Sequence, residues 1–468
     1  MRSINYKRVI VYSCFILSIM ATGCKKFLEP DYKTTVTTAV VFNSDANAQA
    51  AVTGLYTVLS ANPSFNGYIT INISMAADEL IYYSSAAGTD PFQTNQVLPN
   101  DGTIELYWND FYKVIYQSNA IIENATASAG MSPAYKTQAI GEAKLVRAFC
   151  YFYLVNLYGP VPLITATAKD KTMYAPRSAE ADLYVQIKAD LTDAMNTLPG
   201  DYSVSGGKRI RANKWVAAAL LARVNLYTKD WANAEAMATA VLANGSLYGL
   251  QTTANINNVF GKNQTESILE WDKSNAGNFT NEGIAFLYTS PLLRYPVLPG
   301  LLNSFDSGDA RKTNWIKTLN SVSTPYKYKV YAFSTGAANG ENYLVLRVAE
   351  QYLIRAEARA QQNNFSGAQT DINVIRNRAG LPGIATISDK TTAMAAIENE
   401  RRHELFCEWG HRWFDLKRWP SLTSPAAKTR ADDVLGALKT TWRSTSILFP
   451  IPKSARDANP NLTQNEGY

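Results

Sequence analysis

The chain has 468 residues, 46% of them hydrophobic and 18% charged, with a formal charge of +6. That length and balance exclude a disordered polymer and allow one large or two smaller domains around a sizeable core. No block of Lys and Arg resembles a nucleic-acid-binding arm, so no nucleic-acid partner is expected.

The first element is an export signal. Arg2, Lys7 and Arg8 precede an apolar run from Val9 to Met20, then the small residues Ala21, Thr22 and Gly23, then Cys24. The run is about half of the roughly 20 residues that a membrane-spanning helix needs. A cysteine directly after the cut can carry a diacylglyceryl group, and three acyl chains on a mature N-terminus anchor stably where one holds only marginally. The expectation is a lipoprotein signal over 1–23, a lipidated tether over 24–38 and a single folded domain over 39–468. Within that domain an N-terminal part (about 39–230) and a C-terminal part (about 231–468) are expected to pack together. Ala21 stands where such signals usually carry Leu, which leaves an ordinary signal with a chance cysteine as the alternative. Cleavage would remove three basic residues and leave 42 basic against 39 acidic. Cys14 lies in the signal, so only Cys150 and Cys407 remain beside the lipid site. Each sits among large apolar residues in a helical pattern and reads as a small core residue. Whether they pair is left open by the sequence.

A helix is expected from Ser44 to Leu59, capped by Ser44, with Ala48, Ala51, Val52, Leu55 and Leu59 at helical spacing. Asn62 to Thr103 is rich in Gly, Pro, Asn and Ser and reads as a long irregular stretch carrying Tyr68, Tyr82, Tyr83 and Phe92. Helices follow over Glu105–Ala125, Pro133–Tyr158, where Gly159-Pro160 stops the chain, and Ala181–Leu198. Two helix pairs then share one grammar: Asn213–Tyr227 with Trp231–Ala243, and Leu346–Gln362 with Phe365–Arg378. Setting Trp231 over Phe365 puts Ala234 over Ala368 and Ala222 over Ala356, a small residue where paired helices cross, as in tetratricopeptide repeats. Between the pairs, Gly245 to Gly340 reads as aromatic-rich loops and short strands; a last helix is expected from about Thr391 to Glu408, and an extended tail from Ile447 to Tyr468.

Five stretches carry a family resemblance: Glu142–Leu163 (EAKLVRAFCYFYLVNLYGPVPL), Leu346–Ala360 (LRVAEQYLIRAEARA), Ile372–Leu381 (INVIRNRAGL), Glu398–Trp419 (ENERRHELFCEWGHRWFDLKRW) and Leu448–Tyr468 (LFPIPKSARDANPNLTQNEGY). Together they resemble the SusD/RagB family of outer-membrane nutrient-uptake lipoproteins. The resemblance implies a mostly α fold, about four tetratricopeptide-like helix pairs with an irregular loop-rich lobe carrying the ligand site. It implies surface exposure on the outer membrane, through acylated Cys24 in this chain, and no catalysis. It also implies a SusC-like TonB-dependent transporter as partner and an oligosaccharide as ligand, as in starch and polysaccharide utilisation. A peptide ligand, as for RagB-like members, is the alternative; a tetratricopeptide scaffold with no small ligand is another.

The chain has 27 Tyr and 9 Trp but only 2 His, a supply of flat apolar faces with polar edges that suits packing on sugar rings. The ligand-contact candidates are Tyr68, Tyr82, Tyr83, Phe92 and Gln93 from the first loop region and Tyr288, Tyr295 and Trp315 from the second. Asn95 is a further polar neighbour, and Trp108, Tyr112 and Tyr116 share helical spacing and read as core. Taken singly each aromatic favours core packing; as a set, at least two are expected on ligand. Glu400, Glu404, Glu408 and Arg412 are spaced by four and would share a helix face. A glycosidase acid and base could be built from Glu404 and Glu408, but with Arg401, Arg402 and Arg412 among them an ion-pair network is the stronger reading. His403 and His411 are two turns apart, too far for one metal ion on a straight helix. Asp306, Asp309 and Arg311 read as a turn held by an ion pair, a structural calcium being possible there but unsupported by the spacing. No cofactor is expected.

Overall fold

The computed structural model describes residues 38–83, 90–274, 277–287, 294–331 and 340–468. Cys24 and Tyr288 therefore lie outside the described residues. The helices that matter here are α1 (Asp45–Ala61), α2 (Tyr68–Ala76), α3 (Gly102–Ala127), α4 (Pro133–Tyr158), α5 (Glu180–Thr197), α6 (Lys214–Tyr227) and α7 (Trp231–Leu242). They are followed by α8 (Asn281–Phe286), α9 (Val348–Gln361), α10 (Phe365–Arg378), α11 (Lys390–Glu404) and α12 (His411–Arg418). Strands β1 (Ser267–Trp271) and β4 (Tyr343–Arg347) pair antiparallel, and β2 (Ile316–Leu319) forms a hairpin with β3 (Val322–Pro325). Asn320 and Ser321 at its tip both have left-handed φ, of 50° and 65°, as a tight two-residue hairpin turn requires. No helix among the described residues is long and apolar enough to cross a membrane.

The helices stack in chain order, α3 on α4, α4 on α5, α5 on α6, α6 on α7, α7 on α9 and α9 on α10, with α11 against the last two. The molecule is thus a mostly helical tetratricopeptide-like scaffold with a loop-rich lobe, as expected. α4 is the hub. From Leu145 to Tyr158 every residue is buried, so the helix shows no polar stripe. Its two buried charged motif residues survive burial only because they are matched: Arg147 makes a bidentate pair with Asp190 of α5 (2.8 and 2.7 Å), and Glu142 accepts two bonds from Arg211 (2.7 and 2.6 Å).

The repeat seen in the sequence is present in the backbone. Lys229 and Asn363, one repeat apart, are both left-handed (φ 59° and 62°), and the following N–H groups of Asp230 and Asn364 both donate back to the carbonyl five residues earlier at 2.8 Å. Ala222 and Ala234 are fully buried in one shared cluster, Ala356 and Ala368 in another. Small residues let these backbones approach, as the alignment of the two pairs requires.

Three expectations are corrected. The stretch from Asn62 to Thr103 contains α2, a helix buried on nearly every side, whose YITINISMA sequence therefore has no polar face to reveal a period. The last long helix ends at Glu404, not Glu408, because Cys407 and Trp409 take left-handed φ (49° and 48°) and turn the chain into α12. Tyr116 is 56% exposed, whereas Trp108 is buried and the partly buried Tyr112 donates to the Pro162 carbonyl (2.8 Å). Cys150 and Cys407 are both buried and free.

Gly410 closes that turn with φ 74°, and a Cβ there would stand 2.9 Å from Cγ2 of Ile73 on α2. Gly410→Ala is expected to cost about 1–2 kcal/mol, the left-handed penalty for an L-residue plus the push on Ile73. Urea unfolding reads this directly, and an unchanged midpoint would contradict it.

The tail is more than an extended strap. Gln464 clips Ile451 on both sides, accepting from its N–H (2.7 Å) and donating to its carbonyl (3.0 Å). Asn465 donates to the carbonyls of Tyr158 and Phe449 (2.9 and 2.7 Å), fastening the closing motif to the end of α4.

Candidate functional site

The two aromatic loop regions converge. Residues 79–83 run beside residues 294–298: Ile81 N–H donates to the Pro296 carbonyl (3.0 Å), Tyr83 N–H to the Arg294 carbonyl (2.8 Å) and Leu298 N–H to the Glu79 carbonyl (2.9 Å). This pairing sets the Tyr82 ring over that of Tyr295, with centroids 5.4 Å apart and planes tilted by 30°. Phe286 meets Tyr295 edge-on at 6.0 Å. Gln93 accepts the Tyr82 N–H (2.7 Å), so its amide holds the backbone under that ring.

Beside this pair opens a cleft of about 550 Å³. One wall is α2, which contributes Tyr68, Ile71 and Asn72; the other is α8, with Asn281, Ile284 and Ala285. Pro63, Thr103, Arg294, Tyr295 and Tyr331 complete it. Asn72 is fixed by donating to the hydroxyl of Tyr107 (2.7 Å). The walls meet closely because residue 67 is glycine: φ is 113°, and a Cβ would lie 3.0 Å from Cβ of Asn281.

Beneath the cleft a buried chain of hydrogen bonds joins the walls. Tyr343 of β4 donates to Glu282 of α8 (2.6 Å), its hydroxyl meets Thr70 Oγ1 of α2 (2.8 Å), and Thr70 Oγ1 accepts the Trp409 N–H (3.0 Å). Burial pushes the Glu282 carboxyl up to about 8, so it is a neutral acid at pH 7.

Two family models match the chain, one described as SusD family over residues 302–468, the other as starch-binding associating with outer membrane over residues 26–226. The SusD-like protein P25 of Formosa agariphila is 24% identical, with 99% of each chain covered. The starch-binding protein SusD of Bacteroides thetaiotaomicron is 36% identical over 26% of this chain and 21% of its own. A solved laminarin binding SusD-like protein superposes with a TM-score of 0.74 at 24% identity, covering 91% of this chain and 100% of its own. The chain belongs to the SusD/RagB family.

Within this SusD-like fold the candidate residues separate by burial. Tyr68 (43% exposed), Tyr83 (53% exposed), half-buried Tyr82 and Tyr295, and Gln93 gather at the cleft or the segment bordering it. Trp315 and Phe92 do not. Trp315 is fully buried, donates to the Ile256 carbonyl (3.2 Å) and lies under the Lys327 ammonium, 5.0 Å from the ring centroid. Phe92 packs edge-on against Phe449 at 5.5 Å and is 3% exposed. Both are core residues, out of reach of a ligand. Asn95 is buried too, donating to the Ala76 carbonyl at the end of α2 (3.0 Å).

Asn72, Asn281, Thr103, Arg294 and Tyr331 were not singled out by sequence. Asn281 carried a usable signal: it follows Thr280, whose side chain accepts the Gly283 N–H (2.9 Å) and caps α8. Asn72 carried none, lying on a helix with no visible period.

The acidic segment is a clamp. Arg347 at the end of β4 donates to Glu408 (2.7 Å), Glu404 (2.5 Å) and Glu266 (3.1 Å); Arg311 reaches Glu400 (2.6 Å) and Glu404 (3.1 Å); Arg378 pairs with Glu404 and Glu266, and Lys327 with Glu408. Glu408 joins this cluster although it lies beyond α11. Burial raises the Glu404 carboxyl, but Arg378, Arg347 and Arg311 outweigh it and hold the group well below the usual carboxylate range. Asp309 pairs with Arg311 (2.8 Å) and caps the short helix that follows, while Asp306 pairs with Arg376 (3.0 Å). His403 is buried, bonded to Ser304 Oγ (2.9 Å) and stacked on Phe305; His411 is buried near Glu350. No group of three His, Cys, Asp or Glu that could hold a metal occurs among the described residues.

Proposed function

We propose that this chain is a non-catalytic, cell-surface binding protein that captures an oligosaccharide between α2 and α8. It then passes the sugar to a SusC-like TonB-dependent transporter of the outer membrane. The observation that carries the reading is the meeting of two distant aromatic loop regions at one cleft, with Tyr82 and Tyr295 in ring contact at its border. Aromatic faces take the C–H faces of a pyranose, and the amides of Asn72 and Asn281 match its hydroxyl rim. Starch binding by SusD of Bacteroides thetaiotaomicron and laminarin binding by the solved SusD-like protein support a glycan ligand. Acylation of Cys24 would hold the protein to the outer membrane. Modest affinity suits delivery, since a transporter beneath the captured sugar raises its local concentration without tight binding to either partner. The glycosidase alternative is disfavoured because Glu404 and Glu408 are spent on buried arginines, without the apolar pocket that a general acid needs.

Calorimetric titration of a soluble form beginning at Lys25, against neutral and charged glycans and mixed peptides, tests the proposal. Saturable heat is expected with one glycan class. The double variant Tyr82→Ala, Tyr295→Ala is expected to weaken it about 10–100-fold, or about 1.4–2.8 kcal/mol, with unchanged circular dichroism. Binding of peptides alone, or glycan binding indifferent to the double variant, would overturn it.

A further inference from the structure

We propose that the glycan site continues past the cleft into a second hollow beside the first turn of α3, where Gln96, Leu98 and Asn100 hold further neutral sugar units of the same chain. The inference rests on the reading of the cleft as a glycan site. The second hollow measures about 630 Å³. It adjoins the cleft at two places. Asp101 and Gly102 line the hollow, and the next residue, Thr103, lines the cleft. Pro91 and Thr94 line the hollow, and Gln93, between them in the chain, accepts the Tyr82 N–H at the border of the cleft. Gly102 stands at the crossing, where even a Cβ would touch nothing within 4 Å, so the passage is open there. Cleft and hollow are each the size of a complete small-ligand site, roughly 300–1,000 Å³. A chain that fills both is therefore longer than either would hold alone.

The loop that forms the hollow is fastened from within. Phe92 and Val97 are buried, and buried Asn95 donates to the Ala76 carbonyl (3.0 Å). The Thr94 carbonyl accepts from the Thr441 hydroxyl (2.6 Å), and the Pro99 carbonyl accepts from the Lys453 N–H (2.7 Å). With residues 95 and 97 turned inward, the alternate residues Gln96, Leu98 and Asn100 are exposed, Leu98 at 60%. The side-chain amides of Gln96 and Asn100 have no partner among the described residues. Each offers both donors and an acceptor to sugar hydroxyls, and Leu98 between them offers an apolar surface to a C–H face. A loop already fixed in the free protein adds little ordering cost to binding. Among the described residues lining the hollow, Asp101 is the one charged side chain, and its carboxylate accepts the N–H groups of Thr103 and Ile104 (2.8 and 3.4 Å) at the start of α3. An acid without a lining cation suits a neutral sugar unit and disfavours a uronate or a sulfate ester.

The test is titration with two neutral length series, laminari-oligosaccharides and malto-oligosaccharides, each from the disaccharide to the heptasaccharide. In at least one series the hexasaccharide is expected to bind about tenfold or more tightly than the trisaccharide. The double variant Gln96→Ala, Asn100→Ala should remove most of that rise while moving the trisaccharide by less than about twofold. Leu98→Ala should remove part of it. The Tyr82→Ala, Tyr295→Ala protein should weaken both lengths alike. The exchanged loop side chains are exposed, and melting curves check that each variant folds. Affinity that levels off by the trisaccharide, or a rise untouched in the amide variant, would overturn the inference while leaving the glycan-binding reading intact. Silence of both series would overturn the inference, and binding of peptides alone would overturn the glycan-binding reading with it.

Discussion

An Arg347→Ala protein is expected to lose about 3–5 kcal/mol of stability, enough to unfold much of the population at growth temperature. Arg347 is 2% exposed and serves Glu266, Glu404 and Glu408 together, so its removal leaves three buried carboxylates short of positive charge. The remaining Arg311, Arg378 and Lys327 cannot move in to compensate, because each is already held by its own partners in the packed interior. The internal control is Lys453→Ala, which breaks an ion pair 62% exposed on both sides and should cost less than about 0.5 kcal/mol. Denaturant unfolding of the two variants side by side decides the matter. If Arg347→Ala were as mild as Lys453→Ala, the clamp would not be what fastens β4 and α10 to α11.

Glu282→Gln should change how stability depends on pH. Burial raises the Glu282 carboxyl from 4.5 to about 8, so between those values the folded chain keeps a proton that the unfolded chain sheds. Stability from this group therefore falls by about 1.4 kcal/mol for each pH unit across that window. Below pH 4.5 both states are protonated and above about 8 both are ionised, so the slope disappears on either side. A glutamine keeps an acceptor for the Tyr343 hydroxyl and never ionises. The stability of the variant relative to the parent should accordingly climb by about 4 kcal/mol from pH 5 to pH 8. Glu79, pushed up to about 7 by burial, and Lys439, pushed down to about 7 by burial, titrate in both proteins and cancel in the difference. A gap that stays constant across urea titrations at pH 5, 6, 7 and 8 would show that Glu282 is ionised throughout.

What could be read in the sequence was whatever depends on near neighbours. Ser44 caps α1, the Gly159-Pro160 stop ends α4 at Tyr158, and the Trp231 and Phe365 openings align two helix pairs down to the turn angles of Lys229 and Asn363. Those signals are local, and tertiary packing agreed with them. α2 escaped because seven of its nine residues are buried, which leaves too little polar face to reveal a period, and its β-branched residues read equally well as strand or loop. Trp315 and Phe92 have the same residue type and loop setting as Tyr82 and Tyr295. Which ring faces solvent is decided by partners far away in sequence, Ile256 and Lys327 for the one and Phe449 for the other. For Glu408 the ion-pair reading holds but its geometry and partners do not: Arg401, Arg402 and Arg412 pair instead with Asp415, Asp78 and Glu398, and a left-handed turn, not one continuous helix, brings Glu408 to Arg347 and Lys327.

The division of labour along α2 bears on how such a protein can be altered. Tyr68 and Asn72 look into the cleft, while Ile69, Thr70 and Ile73, interleaved with them, are packed into the interior. Recognition and support therefore occupy different stripes of one nine-residue helix. Tyr68 on the outer stripe can be exchanged for residues of different shape or charge with little demand on the core, whereas Asn72 also serves the buried Tyr107 hydroxyl and the inner stripe tolerates almost nothing. A library randomised at position 68, with position 72 restricted to residues that can hydrogen-bond Tyr107 and 69, 70 and 73 held constant, would sample new receptors on an unchanged chassis.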